Sequence, residues 1–263
     1  AEMSAINPVI LLPAALAARG TALAVGYVGS LTMGSGQFCT NPGLVLALDG
    51  PGLDAFLAEA GRLVEGQMPQ TMLTAGIHSA YEKGSAALAA TPEVQTIARG
   101  VHPTGPHEGR AALFCVAAAD WLARSELQHE VFGASSIVVR CADRAELISV
   151  LRGLEGQLTA TLHMDDADQD DARALLPVLE RRVGRILANG WPTGVEVTHA
   201  INHGGPYPAT SDGRTTSVGT LAIDRFLRPV AYQDLPDALL PEALRDSGHA
   251  GVLARVDGAW RIS

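Results

Sequence analysis

One cysteine stands in the middle of a glycine-rich segment, where its thiol could act as a nucleophile. The segment runs from Gly34 to Gly43 and contains Cys39 shortly after Gly36. Glycines let the backbone come close to a ligand and take up positive φ, and nearby N–H groups favour the thiolate, which is the reactive form of cysteine. The alternative is a buried thiol in a connection between two elements, because free cysteine is among the most buried residue types.

The other two cysteines, Cys115 and Cys141, lie in apolar segments that have the character of buried strands. Both are therefore expected to be packed core thiols. An odd, low number of cysteines without regular spacing favours reduced thiols over a disulfide framework, so we expect a cytoplasmic protein.

The composition is that of an ordinary globular protein of 263 residues, with 47% hydrophobic and 18% charged residues. This length allows one large domain or two smaller ones. The net charge of −9 and the lack of a basic run argue against nucleic acid as a partner. No apolar run reaches the roughly 18 to 20 residues that a membrane-spanning helix needs, and the start has no basic segment typical of a signal peptide. We therefore expect no contact with a membrane.

Two candidate metal sites fail on their details, so no metal is expected. The acidic run from Met164 to Asp171 lacks the glycine of an EF-hand loop, and Pro177 stands where the final glutamate belongs. Acidic residues there suit the N-terminus of a helix. His199 and His203 are four residues apart, but no glutamate lies between them and the segment is rich in glycine.

The elements around the cysteine follow an α/β pattern. A strand is predicted from Pro8 to Leu12, a helix from Thr21 to Met33 and a strand from Leu44 to Leu48. After residue 111, strands and helices alternate, which predicts a largely parallel sheet with flanking helices. The other predicted helices are Gly52–Glu65, Thr71–Leu88, Asp143–Leu154 and Asp170–Arg182, and the other strands are Ala111–Ala117, Ser135–Cys141, Leu158–Met164 and Arg185–Ala188.

The later part of the chain changes character. Asn189 to Gly219 is punctuated by glycine and proline and is predicted to be a long ordered loop, a kind of segment that is usually functional. A helix from Val218 to Phe226 and a strand from Pro229 to Gln233 are predicted to follow. The last thirty residues show little pattern.

Four segments, in order along the chain, resemble the motifs of the aldehyde dehydrogenase superfamily. Gly36–Cys39 resembles the nucleophile motif, Glu2–Pro8 the segment with the general-base glutamate, and Glu130–Gly133 the Glu-[Ile/Val]-Phe-Gly segment. Gly204–Arg214 resembles the later Gly-Gly loop. Further similarity, as in Gln37–Gly43, is to the α-ketoglutarate semialdehyde (2,5-dioxovalerate) dehydrogenase subgroup.

The resemblance implies the catalytic, C-terminal half of such an enzyme. Residues 1–216 would form the catalytic domain and residues 217–263 a helix, an oligomerisation strand and a tail, while a Rossmann-type cofactor domain is absent. The implied partners are the N-terminal cofactor domain of the same enzyme and further copies in a homo-oligomer. The chain alone is therefore expected to be inactive.

The resemblance also implies the roles of four residues. Cys39 would attack an aldehyde to give a thiohemiacetal and then a thioester, and Glu2 would activate the water that hydrolyses it. Glu130 would bind the ribose hydroxyls of NAD or NADP, with Phe132 beside the nicotinamide. The choice between the two cofactors lies in the missing domain. As the second residue of the chain, Glu2 is expected to be frayed and solvated.

Four positions depart from the family pattern: Ser4 and Ala5 replace a glycine pair, Ile6 replaces the lysine that commonly follows, and Ala134 replaces a proline. Two other classes stay open. A cysteine-dependent hydrolase or acyltransferase would use Cys39 without a nicotinamide, and a non-catalytic assembly module would leave that thiol unreactive.

Overall fold

A seven-stranded sheet forms the centre of the protein. The computed structural model describes residues 1–246 and 253–262. The strands of this sheet are β1 (Pro8–Leu11), β2 (Leu44–Leu48), β4 (Gln95–Arg99), β6 (Ala112–Ala117), β7 (Ser135–Cys141), β8 (Gln157–His163) and β9 (Val183–Ala188). The helices are α1 (Pro13–Thr32), α2 (Pro51–Glu65), α3 (Ala75–Ala90), α4 (Ala118–Ala123), α5 (Arg144–Gly153) and α6 (Gln169–Leu179).

The strand order is β4-β6-β7-β2-β1-β8-β9, and every neighbouring pair is parallel except the edge pair β4–β6. The prediction of a largely parallel α/β sheet is confirmed. The central strands β1 and β2 consist almost entirely of valine, leucine, isoleucine and alanine without polar alternation, because helices cover both faces of the sheet.

The two faces have separate apolar cores. On one face, α1 and α2 pack over side chains such as Val9 and Val45. On the other face, α5 and α6 cover side chains such as Ile10 and Leu46. Successive residues of one strand thus point to opposite cores, as the two-residue period of a strand requires. A three-layer arrangement of this kind leaves the ends of the strands and their loops free to form a site.

Helix α1 begins at Pro13, well before the predicted Thr21. Proline suits the first helical position, and the buried carboxylate of Asp168 accepts hydrogen bonds from the next two amides, Ala14 N and Ala15 N, at 2.9 Å each. The backbone of Arg19 is non-helical (φ −147°) and interrupts the helix, and the predicted helix covers only the part after it.

By length and composition alone, the segment Pro13–Gly36 is long and apolar enough to cross a membrane, with a mean hydropathy of 1.2. Arg19 and several glycines interrupt the apolar run, so the sequence alone did not predict a span here. In the structure 44% of this stretch is buried, and side chains such as Tyr27 and Leu31 pack in the core. Buried core helices of globular proteins can have the same length and apolar composition.

Several boundaries and short strands differ from the predictions. Helix α3 begins at Ala75 and not at Thr71, because the Thr74 side chain caps it by accepting a hydrogen bond from Ile77 N. The strand β4 was not predicted, nor was the short antiparallel pair of β3 (Gln70–Thr71) and β5 (Glu108–Gly109). Edge pairs of this size carry little hydrophobic periodicity for a sequence reading to detect.

The chain divides into two compact units, Ala1–Ala222 and the part from Ile223 to the end. The predicted boundary at residue 216 or 217 is close to this division and stays a prediction. The segment predicted as a helix from Val218 is a 3₁₀ helix, Thr220–Phe226.

The predicted strand Pro229–Gln233 is wrong for the described chain, in which this segment has no regular structure. A strand exists through the hydrogen bonds of a neighbouring strand, and none is paired with this segment in the part that the structure describes. A hairpin of β10 (Leu253–Val256) and β11 (Ala259–Ile262) was missed. Its signal was present, because Asp257-Gly258 is a typical two-residue hairpin turn with positive φ at both positions, 48° and 83°.

Candidate active site

A strained turn presents Cys39. After α1, three consecutive residues take up left-handed backbone conformations: Gly34 (φ 55°), Ser35 (φ 60°) and Gly36 (φ 69°). Such conformations cost little for glycine but are rare for other residues. The turn ends at Cys39, an exposed residue before β2, as the glycine-rich segment predicted.

Two buried asparagines hold this turn in place. Asn41 Nδ2 donates hydrogen bonds to the carbonyl oxygens of Gly36 (2.8 Å) and Leu31 (3.1 Å). Asn7 Nδ2 donates to Cys39 O at 2.9 Å and to Asn41 O at 3.1 Å. Side-chain amides buried to this extent make directional bonds to the backbone, so the position of Cys39 is fixed from both sides.

Glu2 is held in place, and the expectation of a frayed terminus is wrong. The residue forms an isolated antiparallel bridge with Thr210, and Met3 N donates to Ala209 O at 2.9 Å. Further along, Ser211 N donates to Ala1 O at 2.8 Å. The start of the chain therefore pairs with the long loop, and the Glu2 side chain is only 26% exposed.

The same loop carries a histidine to the cysteine. His203 Nε2 lies 3.3 Å from Cys39 Sγ and 3.4 Å from Glu2 Oε2. Its imidazole is buried, and its backbone is fixed because His203 N donates to Thr216 Oγ1 (2.8 Å) and His203 O accepts from Ser217 N (3.0 Å). The three side chains thus form a Cys–His–Glu cluster at the end of the cysteine turn.

Close backbone packing explains why glycines follow this histidine. A β-carbon on Gly205 would come within 2.2 Å of Gln157 O in β8. Gln157 in turn accepts hydrogen bonds through Oε1 from Ile6 N (2.6 Å) and Asn7 N (3.0 Å). The loop, β8 and the segment after Glu2 are thereby joined around one site. The sequence did not single out His203 for this role, because the contact spans 164 residues.

Burial and charge oppose ionisation of the cysteine. The pKa of the Cys39 thiol is raised from its ordinary value, mainly by partial burial of the sulphur and then by the negative charge of Glu2. Backbone hydrogen bonds from Cys39 and Thr40 and the positive charge of Arg185 act in the opposite direction but are weaker. The backbone amides thus favour the thiolate, as expected, but burial and Glu2 outweigh them.

Arg185 is a half-buried cation close to this cluster. It lies in β9 opposite Thr159 of β8, which donates through Oγ1 to Asn7 Oδ1 at 3.2 Å. Arg185 Nη2 donates to Pro192 O (3.1 Å) and Gly194 O (3.3 Å), whereas its buried Nε has no partner in the described chain. No carboxylate of the described residues forms an ion pair with it, and burial lowers the pKa of the guanidinium.

The Glu130–Gly133 segment borders a pocket beside the turn. The pocket is lined by residues that include Ala5, Gly36, Glu130 and Phe132. Burial raises the pKa of Glu130 to about 7, against weaker opposing hydrogen bonds from Ser4 and Ala5. The segments around Glu2, Cys39 and Glu130, which the sequence singled out, therefore meet at one pocket. The Phe132 ring at this pocket is 38% exposed.

The remaining cysteines are core residues, as predicted. Cys115 and Cys141 are 3% and 0% exposed, and burial raises the pKa of both thiols, that of Cys141 to about 12. Among the described residues, the atoms of Glu2, Cys39 and His203 lie within 4.8 Å of one another, a spacing that a metal ion could use. The same three groups suit nucleophilic catalysis without a metal, because a thiol, a base and a carboxylate are in contact.

Comparison with known proteins gives two curated relatives of high similarity, whereas no protein-family model matches the chain. Alpha-ketoglutaric semialdehyde dehydrogenase 2 of Azospirillum brasilense is 55% identical over 258 residues. Alpha-ketoglutaric semialdehyde dehydrogenase of Acinetobacter baylyi is 46% identical over 259 residues. Each match covers 98% of this chain but 49% of the relative, so the chain spans about half the length of the curated relatives it matches.

Solved structures show the same fold at low sequence identity. Lactaldehyde dehydrogenase has a TM-score of 0.71 at 18% identity, over 88% of this chain and 48% of that one. Betaine aldehyde dehydrogenase of Staphylococcus aureus, in complex with NAD⁺, has a TM-score of 0.70 at 14% identity. The match covers 89% of this chain and 48% of that one. The architecture of the chain is therefore the aldehyde dehydrogenase fold.

Proposed function

We propose that the chain is the catalytic half of an NAD(P)-dependent aldehyde dehydrogenase. It matches two alpha-ketoglutaric semialdehyde dehydrogenases over about half of their length and shares its fold with an NAD⁺-bound aldehyde dehydrogenase. The observation that carries this proposal is the contact cluster of an exposed Cys39 with His203 and Glu2 at a fixed turn. The proposed substrate is α-ketoglutarate semialdehyde, after the names of the two relatives.

Cys39 acts as the nucleophile. Its thiolate attacks the aldehyde carbon, a C–S bond forms, and the carbonyl electrons move to oxygen, giving a thiohemiacetal. The Cys39 backbone N–H is a donor next to the reacting sulphur that can stabilise the oxyanion. Because Asn7 and Asn41 fix the backbone on both sides of Cys39, nucleophile and donor keep one geometry.

Glu2 acts as the base for thioester hydrolysis. Its carboxylate lies beside the sulphur, 3.4 Å from His203 Nε2, and is partly open to solvent, so a water molecule can reach both the thioester and the carboxylate. Removal of a proton from that water gives the nucleophile for hydrolysis, and the sulphur leaves as a thiolate. Pairing with the 209–211 segment keeps Glu2 within reach of this water.

Glu130 and Phe132 are the proposed contacts of the nicotinamide cofactor, which supplies the hydride acceptor when bound. A carboxyl group at a pocket next to the cysteine turn fits an acceptor for ribose hydroxyls, and Phe132 offers an exposed ring at the same pocket. The rest of the cofactor, NAD or NADP, would be held by an N-terminal cofactor domain of the same enzyme.

Arg185 supports an acidic substrate. Arg185 is a half-buried cation that has no carboxylate partner among the described residues, and this is costly because the charge loses hydration without gaining a counter-ion there. Arg185 is on the same side of the sheet edge as the cysteine turn, because it pairs with Thr159, which bonds to Asn7, and Asn7 bonds to Cys39 O. α-Ketoglutarate semialdehyde carries a carboxylate at the end remote from its aldehyde, and Arg185 is the proposed anchor for it.

The test is cofactor reduction by the full-length protein with α-ketoglutarate semialdehyde and either NAD⁺ or NADP⁺, followed by absorbance. The proposal expects aldehyde-dependent reduction that Cys39→Ser abolishes and that the matched core variant Cys115→Ser retains in proportion to folded protein. No reduction with either cofactor, or full activity of Cys39→Ser, would overturn it.

The second candidate is a cysteine-dependent hydrolase or acyltransferase, which the Cys–His–Glu cluster favours. An imidazole in contact with a thiol is the pair that cysteine hydrolases use, although Cys39 and Glu2 here share the one nitrogen Nε2, whereas a hydrolase triad uses both ring nitrogens. Hydrolysis of an acyl thioester at Cys39 with no cofactor-dependent aldehyde oxidation would select this function. Cytoplasmic location and assembly into a homo-oligomer are part of the proposal, the former supported by three unpaired cysteines.

A further inference from the structure

We propose that His203 is the proton acceptor for the Cys39 thiol, so that the nucleophile of this protein is a cysteine–histidine pair facing the Glu2 carboxylate. The inference rests on the proposed function, in which Cys39 is the nucleophile. It assigns a catalytic role to a loop histidine that sequence reasoning considered only as a candidate metal ligand.

The geometry places one imidazole nitrogen between two acidic groups. His203 Nε2 is within hydrogen-bond distance of Cys39 Sγ (3.3 Å), and it is 3.4 Å from Glu2 Oε2. The imidazole is 5% exposed, so water has little access to the shared nitrogen. Proton transfer needs this kind of direct contact between donor and acceptor.

The histidine is also fixed in this position. Thr216 Oγ1 accepts the hydrogen bond from His203 N, and Thr216 itself is buried and donates to Val218 O at 2.9 Å. Ser217 closes the other side, since both its N and its Oγ donate to His203 O, at 3.0 and 3.1 Å. A side chain on such a support keeps its orientation, which is what a group acting on one sulphur atom requires.

The thiol needs a base at this distance. Burial and the Glu2 charge both raise the pKa of Cys39. If no protein group accepted its proton, most of the Cys39 side chain would therefore stay a thiol at neutral pH. Among the described residues that contact Cys39 Sγ in the structure, His203 offers a basic nitrogen. A positive imidazolium formed there would offset the effect of Glu2, and Glu2 would in turn stabilise the imidazolium.

The proton balance is simple. The S–H bond of Cys39 breaks, the proton moves to His203 Nε2, and the products are a thiolate and an imidazolium. Among the described residues, the charged groups that act on Cys39 are the Glu2 carboxylate and the Arg185 guanidinium, and the Glu2 carboxylate also lies 3.4 Å from His203 Nε2. Hydrolysis of the thioester returns Cys39 as a thiolate, so the pair is restored after each turnover.

The direct test is the pH dependence of Cys39 alkylation by iodoacetamide in the full-length protein, with the labelled peptide identified by mass spectrometry. His203→Asn and His203→Gln keep a polar side chain but cannot accept a proton at neutral pH. Both variants are expected to raise the apparent pKa of alkylation by about one to two pH units, the size of effect of a nearby opposite charge. An unchanged profile in both variants would overturn the proposal.

His199→Asn is the matched control, because His199 lies on the same loop but bonds to Thr220 Oγ1 at 3.1 Å. Its alkylation profile should equal that of the parent protein, and a shift as large as that of His203→Asn would contradict the assignment.

Added imidazole separates a chemical from a structural role. In His203→Ala, imidazole should restore fast alkylation of Cys39 at neutral pH, whereas failure to restore it with the fold intact by circular dichroism would count against a base. Alkylation needs neither aldehyde nor cofactor, so its outcome is distinct from that of the dehydrogenase assay.

Discussion

Gly36 lies so close to Gly133 that a β-carbon on Gly36 would come within 2.2 Å of the Gly133 carbonyl carbon and 2.3 Å of Ala134 N. The cysteine turn and the segment that carries Glu130 and Phe132 therefore meet through bare backbone. Because Gly36 also has a φ of 69°, two independent requirements select glycine here.

Gly36→Ala is expected to destabilise the protein by about 2 kcal/mol or more, since it combines backbone strain with a backbone clash that no side chain can relieve. Urea unfolding followed by circular dichroism measures this. The matched control is Gly29→Ala in α1, where a β-carbon meets nothing within 4 Å, and there a gain of up to about 1 kcal/mol is expected. Equal stability of Gly36→Ala and the parent would show that the two segments are not packed as described.

Glu130 should make stability depend on pH. Its pKa is raised from 4.5 in the unfolded chain to about 7, so the fold favours the neutral carboxyl. The stability is complete below about pH 4.5, falls as the pH rises to about 7, and is constant above it. Relative to Glu130→Gln, the parent should lose unfolding free energy between pH 5 and pH 8 in urea titrations.

The control for this measurement is Glu155→Gln, which removes the same charge from an exposed position. It should show the same pH dependence as the parent. If Glu130→Gln also follows the parent over this range, Glu130 is not the buried group that titrates.

Arg185→Met should weaken binding of an anionic aldehyde selectively. The KM for α-ketoglutarate semialdehyde is expected to rise about 10-fold or more, because a charge-assisted contact is lost, with little change for an uncharged aldehyde of similar length. Steady-state kinetics of the full-length protein measure both values. If Arg185 acted only structurally, through its hydrogen bonds to the carbonyl oxygens of Pro192 and Gly194, the variant would change the KM of both substrates alike. Arg173→Met, on the exposed surface of α6, serves as the control.

Much of the fold could be predicted from the sequence, because its signals are local. The strands β2 and β7 have the predicted bounds, since unbroken apolar runs between turn residues mark buried parallel strands. The edge strand β4 was missed because two of its five residues are exposed and only one is buried, without regular alternation. The start of α1 was missed because Asp168, far away in sequence, supplies the acceptor for its first amides.

The candidate site was only partly predictable. Cys39 stood out through its glycines, and Glu2, Glu130 and Phe132 through the family resemblance. His203 and Arg185 could not be placed, because the contact of His203 with Cys39 depends on the path of a loop without periodic pattern. The pKa of Cys39 could not be foreseen either, since it depends on how deeply the sulphur is buried and on the nearness of Glu2.

Glu2→Gln should slow thioester hydrolysis more than cofactor reduction. An amide keeps the size and hydrogen bonding of Glu2 but cannot take a proton from water. Stopped-flow absorbance of the full-length variant should show a burst of reduced cofactor followed by slow turnover, in contrast to the parent. Loss of the burst and the steady rate to the same extent would contradict this role.

The central claim is that Cys39 carries the substrate as a covalent thioester. The most direct measurement is mass spectrometry of full-length Glu2→Gln quenched in acid during turnover with aldehyde and cofactor, followed by peptide mapping. The account predicts an acyl adduct on the peptide that contains Cys39 and none on those with Cys115 or Cys141. Cofactor reduction without an adduct on Cys39, or with the adduct on another residue, would contradict it.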